Sequence, residues 1–265
     1  MISYPYISNR LYEDQQSELI RSYQEETDSL DDGMLAQEIE KAHRYNETLS
    51  QSVVVLTDPF DVMASKDRPV DDYEKILNVN ENGIMGYVEI PCIDVYLPIY
   101  HGTDAEVLEQ GLGHLEATSF PVGGEGTHAV ISGHTGLPGK KLLSDLELME
   151  KGNLFLIHVF NETLAYEVDQ ILVVEPANTQ DLHIVPGEDL VTLITCTPYG
   201  VNSHRLLVRG HRVPVPDQQT IEAETTSVTE ASPWMYDYTR SMLFGLGAVG
   251  IVVIGVSIYH WRKRR

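Results

Sequence analysis

The segment LVTLITCTPYGVNSHRLLVRGH, residues 190–211, decides the fold of this chain. It begins with an apolar, β-branched run that ends at Cys196, and it resumes with a second apolar run that starts at Arg205. A loop containing Pro and Gly separates the two runs. The pattern predicts two antiparallel strands, with Cys196 at the end of the first and Arg205 at the start of the second. The guanidinium of Arg205 then lies near the thiol of Cys196 because a short loop joins the two strands, and no contact between distant parts of the chain has to be assumed.

Further short β-like runs, separated by Gly and Pro, follow residue 76. Together with the two strands above, the predicted strands are Gly86–Ile90, Val95–Tyr100, His128–Ser132, Asn153–Val159, Thr163–Val174, Leu190–Cys196 and Arg205–Arg212. Helical pieces fall between them at Ala105–Gly111 and Lys140–Leu148. This succession predicts a mainly β fold with flanking helices, in which residues 76–213 close into a β-barrel of about eight strands.

The segment before the barrel divides into two parts. Residues 1–50 carry apolar side chains at helical spacing among many Glu and Gln, which predicts two helices with a break near Asp31-Asp32-Gly33. Residues 51–75 contain two prolines and little periodicity, so they form a connector. A long loop of this kind is often functional.

The segment after the barrel predicts attachment to a membrane. Residues 214–240 are rich in Thr, Ser, Glu and Pro and indicate a stalk. Residues 241–260 contain 18 consecutive uncharged residues, Met242–Tyr259, which is enough for a transmembrane helix. The tail 261–265, which contains the basic run 262–265, then lies in the cytoplasm by the positive-inside rule, and the chain before the transmembrane helix lies outside the membrane. Such export needs an N-terminal signal, and we expect one upstream of the first residue.

Composition excludes some classes of protein. The net charge of −22 disfavours nucleic acid as a partner. Two cysteines, Cys92 and Cys196, allow at most one disulfide, so the chain is not a disulfide-stabilised scaffold. Each cysteine therefore needs its own explanation.

The chemistry of a reactive thiol selects two further side chains. An arginine beside Cys196 can lower the pKa of the thiol, or hold the oxyanion of a tetrahedral intermediate. A nucleophilic cysteine also needs a proton acceptor and donor. His134 is the best placed of the ten histidines, because it follows a buried strand and Gly133 at the strand end. The three residues Cys196, His134 and Arg205 together predict a catalytic site.

At these residues the chain resembles the sortase family, the cysteine transpeptidases of Gram-positive cell surfaces. TLITC, followed by Arg205 nine residues on, resembles the TLxTC and arginine signature of the family, and SGH at 132–134 resembles its catalytic-histidine segment. LPIYHGT at 97–103, the sequence after Cys196 and the C-terminal apolar segment are similar to the class C, pilin-polymerising sortases. Asp58, Pro59 and Phe60 resemble the class C lid motif.

The resemblance implies a mechanism that needs neither metal nor organic cofactor. Cys196 attacks the Thr–Gly carbonyl of an LPxTG-like sorting signal, His134 protonates the departing amine, and Arg205 steadies the substrate or the oxyanion. A lysine of another pilin then releases the acyl group as an isopeptide. The partners implied are pilins with sorting signals and acceptor lysines, and a lipid membrane. Asp58 pairs with Arg205 in the resting lid, and Phe60 covers the sulfur.

Three alternatives remain open at this point. They are a housekeeping-type sortase that attaches surface proteins to peptidoglycan, an inactive membrane-anchored binding module, and a cysteine hydrolase. The chain also departs from the family pattern, since Thr135 follows the histidine where Arg is common. Cys92 lies where a basic residue is frequent, and we interpret it as structural or incidental.

Overall fold

A computed structural model describes residues 4–52, 55–61, 73–79, 81–137 and 139–225, with single positions 243, 245, 247 and 260. Within these residues, eight strands form a closed barrel in the order β1-β2-β3-β4-β7-β8-β6-β5. The strands are β1 (Ile84–Ile90), β2 (Val95–His101), β3 (Leu112–His114), β4 (Thr127–Ser132), β5 (Leu154–Val159), β6 (Glu162–Val174), β7 (Asp189–Thr197) and β8 (His204–Val213). The predicted closed barrel is therefore confirmed.

Two details of the predicted elements are wrong. The sequence pattern does not show β3, because a strand of three residues is too short to display alternation. The helix expected over Lys140–Leu148 is a series of turns, with one short 3-10 turn at Leu146–Leu148. Gly139 and Leu142 have positive φ angles of 76° and 45°, and a backbone of that kind interrupts an α-helix.

Alternation along β7 separates two apolar clusters. Val191 and Leu193 point into the barrel and join the main core. Ile194 points outward and joins a smaller cluster on the barrel wall, which we call the wall cluster, formed by Leu56, Leu115, Val130, Leu182, Ile194 and Leu207. Thr192 and Cys196 share the parity of Ile194, so Cys196 lies on the outer face of the barrel.

The register of the central strands brings the strand ends of the site together. β4 and β7 are parallel neighbours, and their pairing runs from Thr127 opposite Asp189 to Ser132 opposite Ile194. Both strands therefore end at the same edge of the barrel. β7 and β8 are antiparallel, and Cys196 stands directly opposite Arg205.

Two helices precede the barrel, as the periodicity predicts. α1 spans Tyr4–Asp28 and α2 spans Asp32–Ser50. The side chain of Asp31 caps the start of α2 by accepting a hydrogen bond from the Gly33 amide. The two helices pack on the barrel through buried polar contacts as well as apolar ones. The Tyr23 hydroxyl donates to the carbonyl of Met85 at 3.2 Å.

Two further helices complete the described chain. α3 (Ala105–Gln110) lies where the sequence predicts a helix. α4 (Gln218–Thr225) falls inside the segment predicted to be a stalk, and the Asn153 amide donates to Glu224 of α4 at 3.3 Å. Residues 226–240 of that segment lie outside the described residues. The predicted transmembrane helix also lies outside them, apart from the four single positions. The same holds for the basic tail. Among the described helices, none combines the length and apolar character needed to span a bilayer.

Candidate active site

The cross-strand pair of Cys196 and Arg205 forms the centre of the site. Both residues are almost fully buried, with 8% of each exposed. The Nη1 atom of Arg205 donates to the carbonyl oxygens of Asn202 and His204, at 3.2 and 3.1 Å. These bonds, one to the loop between β7 and β8 and one to the first residue of β8, fix the guanidinium beside the strand end that carries the thiol.

His134 follows β4, and its backbone is attached to β7. The amide of Gly133 donates to the carbonyl of Ile194 at 3.0 Å. The buried Thr195 hydroxyl donates to the carbonyl of Gly133 at 2.7 Å. The residue before the cysteine is thereby bonded to the residue before the histidine. Since a buried hydrogen bond of this kind defines relative position, we infer that it holds the two side chains in a constant register.

The segment 56–61, which we call the lid segment, lies against this centre. Asp58 accepts two hydrogen bonds from Arg205, from Nε at 2.8 Å and from Nη2 at 2.6 Å. The Phe60 ring lies 5.0 Å from the Arg205 Cζ atom and 5.6 Å, centre to centre, from the His134 ring. Pro59 is buried between the two anchoring residues. The lid segment therefore touches two of the three predicted catalytic residues.

Apolar packing supports the lid segment from below. Leu56 belongs to the wall cluster, and Phe60 packs against that cluster. The hydroxyl of Thr179 donates to the carbonyl of Leu56 at 3.4 Å. Two interactions thus hold the lid segment on the barrel. They are the bidentate ion pair of Asp58 and the burial of the apolar side chains of Leu56 and Phe60.

The electrostatics of the closed site favour a neutral thiol and a neutral imidazole. Burial raises the pKa of Cys196, with Arg205 acting against this and Asp58 adding to it. Burial lowers the pKa of His134, and the negative charge of Glu109 acts in the opposite direction. Burial alone would lower the pKa of Arg205, but its hydrogen bonds to Asp58 raise that pKa above the ordinary value.

Other chemistry-bearing side chains lie away from this centre. His128 is bonded through Nε2 to the Thr192 hydroxyl at 2.7 Å and through Nδ1 to the carbonyl of His183 at 2.9 Å, and burial lowers its pKa to about 4. Burial raises the pKa of Cys92 to about 11. Within the described ranges, no three His, Cys, Asp or Glu side chains are grouped as metal ligands.

Sequence reasoning missed the contribution of Thr195 and of the Asn202 carbonyl. Thr195 adjoins the cysteine in the quoted motif, which marks it for attention. Its partner, however, is 62 residues away on a parallel neighbour, and no local pattern in the sequence identifies that partner.

Gly133 is closely packed, and this predicts the effect of an alanine. A Cβ atom at Gly133 would lie 2.6 Å from Leu112 Cδ2 and 2.8 Å from Leu143 Cδ1, so these buried side chains must move. We expect Gly133→Ala to destabilise the fold by about 1–3 kcal/mol, which urea unfolding measures. Gly152→Ala is the backbone control: nothing lies within 4 Å of its added Cβ, so any loss of stability there comes from its φ angle of 94°, a strain that Gly133 does not share. Equal stability of the parent and Gly133→Ala would contradict the packing argument.

Comparison with known proteins agrees with this geometry. A family model described as "Sortase domain" matches residues 88–213. Sortase C-1 from Streptococcus pneumoniae is 47% identical, covers 75% of this chain and 100% of its own, and superimposes with a TM-score of 0.70. A sortase C from the same organism, described in terms of pilin substrate specificity, is 44% identical over 76% of this chain and 100% of its own, with a TM-score of 0.68.

A third relative is matched over a shorter region. Sortase A from Streptococcus agalactiae is 31% identical over 117 residues, which are 43% of this chain and 47% of that protein. The chain thus matches about half the length of that relative. Taken with the barrel, the strand-end cysteine and the two solved structures matched over their whole chains, these matches define the class: the chain belongs to the sortase family of cysteine transpeptidases. Among solved structures it is similar to the C-type members.

Proposed function

We propose that this protein is a membrane-anchored, class C sortase that joins pilin subunits through lysine isopeptide bonds and is inhibited by its own lid. The observation that carries the proposal is the bidentate Asp58–Arg205 pair, with Phe60 packed beside His134. The similarity to sortases C, one of them described in terms of pilin substrates, supports the same assignment.

The first half of the reaction forms an acyl-enzyme. Cys196 transfers its proton to His134, and the thiolate attacks the carbonyl carbon of Thr in the Thr–Gly bond of the sorting signal. Arg205 donates hydrogen bonds to the oxyanion that develops. The imidazolium of His134 then gives its proton to the glycine nitrogen as the C–N bond breaks. A thioester between threonine and Cys196 remains.

The second half transfers the acyl group to an amine. The neutral ε-amine of a pilin lysine attacks the thioester carbonyl, and the C–S bond breaks. The proton lost from the lysine nitrogen passes to His134 and then to the Cys196 thiolate. The resting neutral pair is regenerated, and an isopeptide bond links the two pilins.

The lid segment and the substrate need the same side chain. In the closed site, Nε and Nη2 of Arg205 donate to Asp58, and Nη1 donates to the carbonyls of Asn202 and His204. The donors committed to Asp58 are those that would otherwise serve the oxyanion. Asp58 must therefore leave before Arg205 takes part in the reaction.

Membrane attachment is the part of the proposal that rests on sequence. The mainly apolar segment 241–260 and the basic residues 262–265 are consistent with a C-terminal anchor, with the barrel on the cell-wall side and the C-terminus in the cytoplasm. Pilins held at the same membrane would meet the enzyme at raised effective concentration.

An acceptor competition tests the proposed function. The purified lid-open variant Asp58→Ala is given a pilin that carries a sorting signal, together with a second pilin that supplies lysine and a lipid-linked peptidoglycan amine. We expect mass spectrometry to find the threonine joined to the pilin lysine, and to find no such product when that lysine is Arg. Transfer to the peptidoglycan amine would indicate a housekeeping sortase. Transfer to water would indicate a hydrolase, and binding without cleavage an inactive module.

A further inference from the structure

Ser132 is a buried polar residue that the mechanism above does not use. It is the last residue of β4 and is 0% exposed. Its Oγ atom has no hydrogen-bond partner among the residues that the structure describes. Buried hydroxyls in folded proteins are normally bonded, so one that is not bonded calls for an explanation.

The strand register places Ser132 on the same face as the catalytic cysteine. Ser132 stands opposite Ile194 of β7, which belongs to the wall cluster beneath the lid segment. Val130, two residues earlier on β4, belongs to the same cluster. On its other side Ser132 faces Gly113 of β3, and the Gly102 carbonyl, Thr103 and Leu108 occupy the space that a side chain at Gly113 would need.

The distance along the strands fits an extended substrate. Ile194 precedes Cys196 by two residues, so Ser132 lies roughly 7 Å before the thiol along the strand direction. An extended peptide advances by the same amount in two residues. A peptide chain that replaces the lid segment over the wall cluster thus brings a backbone group two residues from the scissile carbonyl to the level of Ser132.

We propose that the Ser132 hydroxyl is a substrate-positioning donor, which bonds a backbone carbonyl of the bound sorting signal about two residues before the scissile threonine. This inference rests on the proposed function. The proline of an LPxTG-like signal stands at that position, and a proline offers a carbonyl but no amide hydrogen. A donor at Ser132 therefore matches the single polar group that the backbone presents there. In the closed state the hydroxyl stays unpaired.

A stability measurement tests the unpaired state. Ser132→Ala removes an oxygen that makes no bond, so we expect no fall in the melting temperature of the full chain. Ser119→Ala is the matched control, because Ser119 is equally buried and its Oγ accepts a bond from the His128 amide at 3.0 Å. We expect the control to melt at a lower temperature. A fall for Ser132→Ala as large as that for Ser119→Ala would overturn the inference.

A kinetic measurement tests the substrate contact. In the lid-open Asp58→Ala chain, cleavage of an internally quenched peptide containing Leu-Pro-Ala-Thr-Gly is followed with and without Ser132→Ala. We expect Ser132→Ala to lower kcat/KM about tenfold, mainly through KM. A thioamide in place of the proline carbonyl, which is a weaker acceptor, lowers kcat/KM for the parent but has little further effect on Ser132→Ala. Ser119→Ala leaves KM unchanged.

The outcomes separate this inference from the proposed function. An unchanged kcat/KM for Ser132→Ala, or an equal thioamide effect in both chains, overturns the positioning role while cleavage by the parent still supports the transpeptidase. A slower alkylation of Cys196 in Ser132→Ala would indicate a structural role and also overturns it. Absence of any cleavage by the lid-open parent removes the proposed function, and this inference with it.

Discussion

Replacing Cys196 by Ala abolishes both the acyl-enzyme and the joined pilin product. The thiol stands directly opposite Arg205 in the β7–β8 pair, and Arg205 lowers its pKa against the effect of burial. Removal of a covalent nucleophile lowers the rate by roughly 10³-fold or more. The measurement is mass spectrometry of the enzyme after exposure to the sorting-signal peptide, together with gel analysis of high-molecular-weight pilin products.

Cys92→Ala is the matched control for this experiment. Cys92 is also buried and also a free thiol, but it lies in the 3-10 turn Pro91–Ile93 between β1 and β2. We expect it to retain acyl-enzyme formation. Pilin polymers formed by Cys196→Ala, or their loss in a folded Cys92→Ala chain, would show that the nucleophile has been assigned wrongly.

Asp58→Ala accelerates the reaction of Cys196 with a thiol reagent by roughly ten- to hundredfold. The substitution removes both acceptors of the bidentate pair, whose side chains are 14% and 10% exposed for Asp58 and Arg205. It also removes one of the causes that raise the pKa of Cys196, so more thiolate forms once the site opens. Phe60→Ala acts in the same direction, because it removes the ring beside His134 and Arg205. The rate is measured by timed alkylation and intact mass.

A second bidentate pair supplies the control for the lid. Asp169 accepts from Arg209 at 2.9 and 2.7 Å, between β6 and β8 and away from the thiol. Asp169→Ala removes the same kind of interaction without touching the lid segment, and we expect Cys196 reactivity to stay at the parent value. Unchanged reactivity in both Asp58→Ala and Phe60→Ala would mean that the lid segment does not restrict the thiol.

The sequence predicted the elements that have a clear period and missed those that do not. The long strands alternate between the core and the outer face, so their positions follow from side-chain pattern alone. β3 has only three residues and is stabilised by hydrogen bonding to its neighbouring strands, β2 on one side and β4 on the other. The chain over Lys140–Leu148 has a composition compatible with a helix, but the left-handed backbone at Leu142 depends on tertiary packing.

The site divides in the same way. Cys196 and Arg205 are joined by a short loop, so their proximity follows from local sequence. The nearness of His134 depends on the parallel pairing of β4 with β7, which sequence alone does not specify. The lid contact joins Asp58 to a residue 147 positions later, and only the resemblance of the short motif DPF to a family motif predicted it.

The chain is anchored to the barrel both before and after the lid segment, and this affects how tightly the enzyme binds peptides and inhibitors. Before it, Asn46 of α2 exchanges two hydrogen bonds with the backbone of Phe120. After it, buried Tyr73 is bonded to His114 at 2.9 Å. The segment therefore acts as an intramolecular competitor, present at a local concentration of about millimolar order. The apparent dissociation constant for any peptide or inhibitor equals the intrinsic constant divided by the open fraction, so the apparent affinity falls as the lid closes. Selection can thus tune KM through the lid alone, without altering a single reacting group.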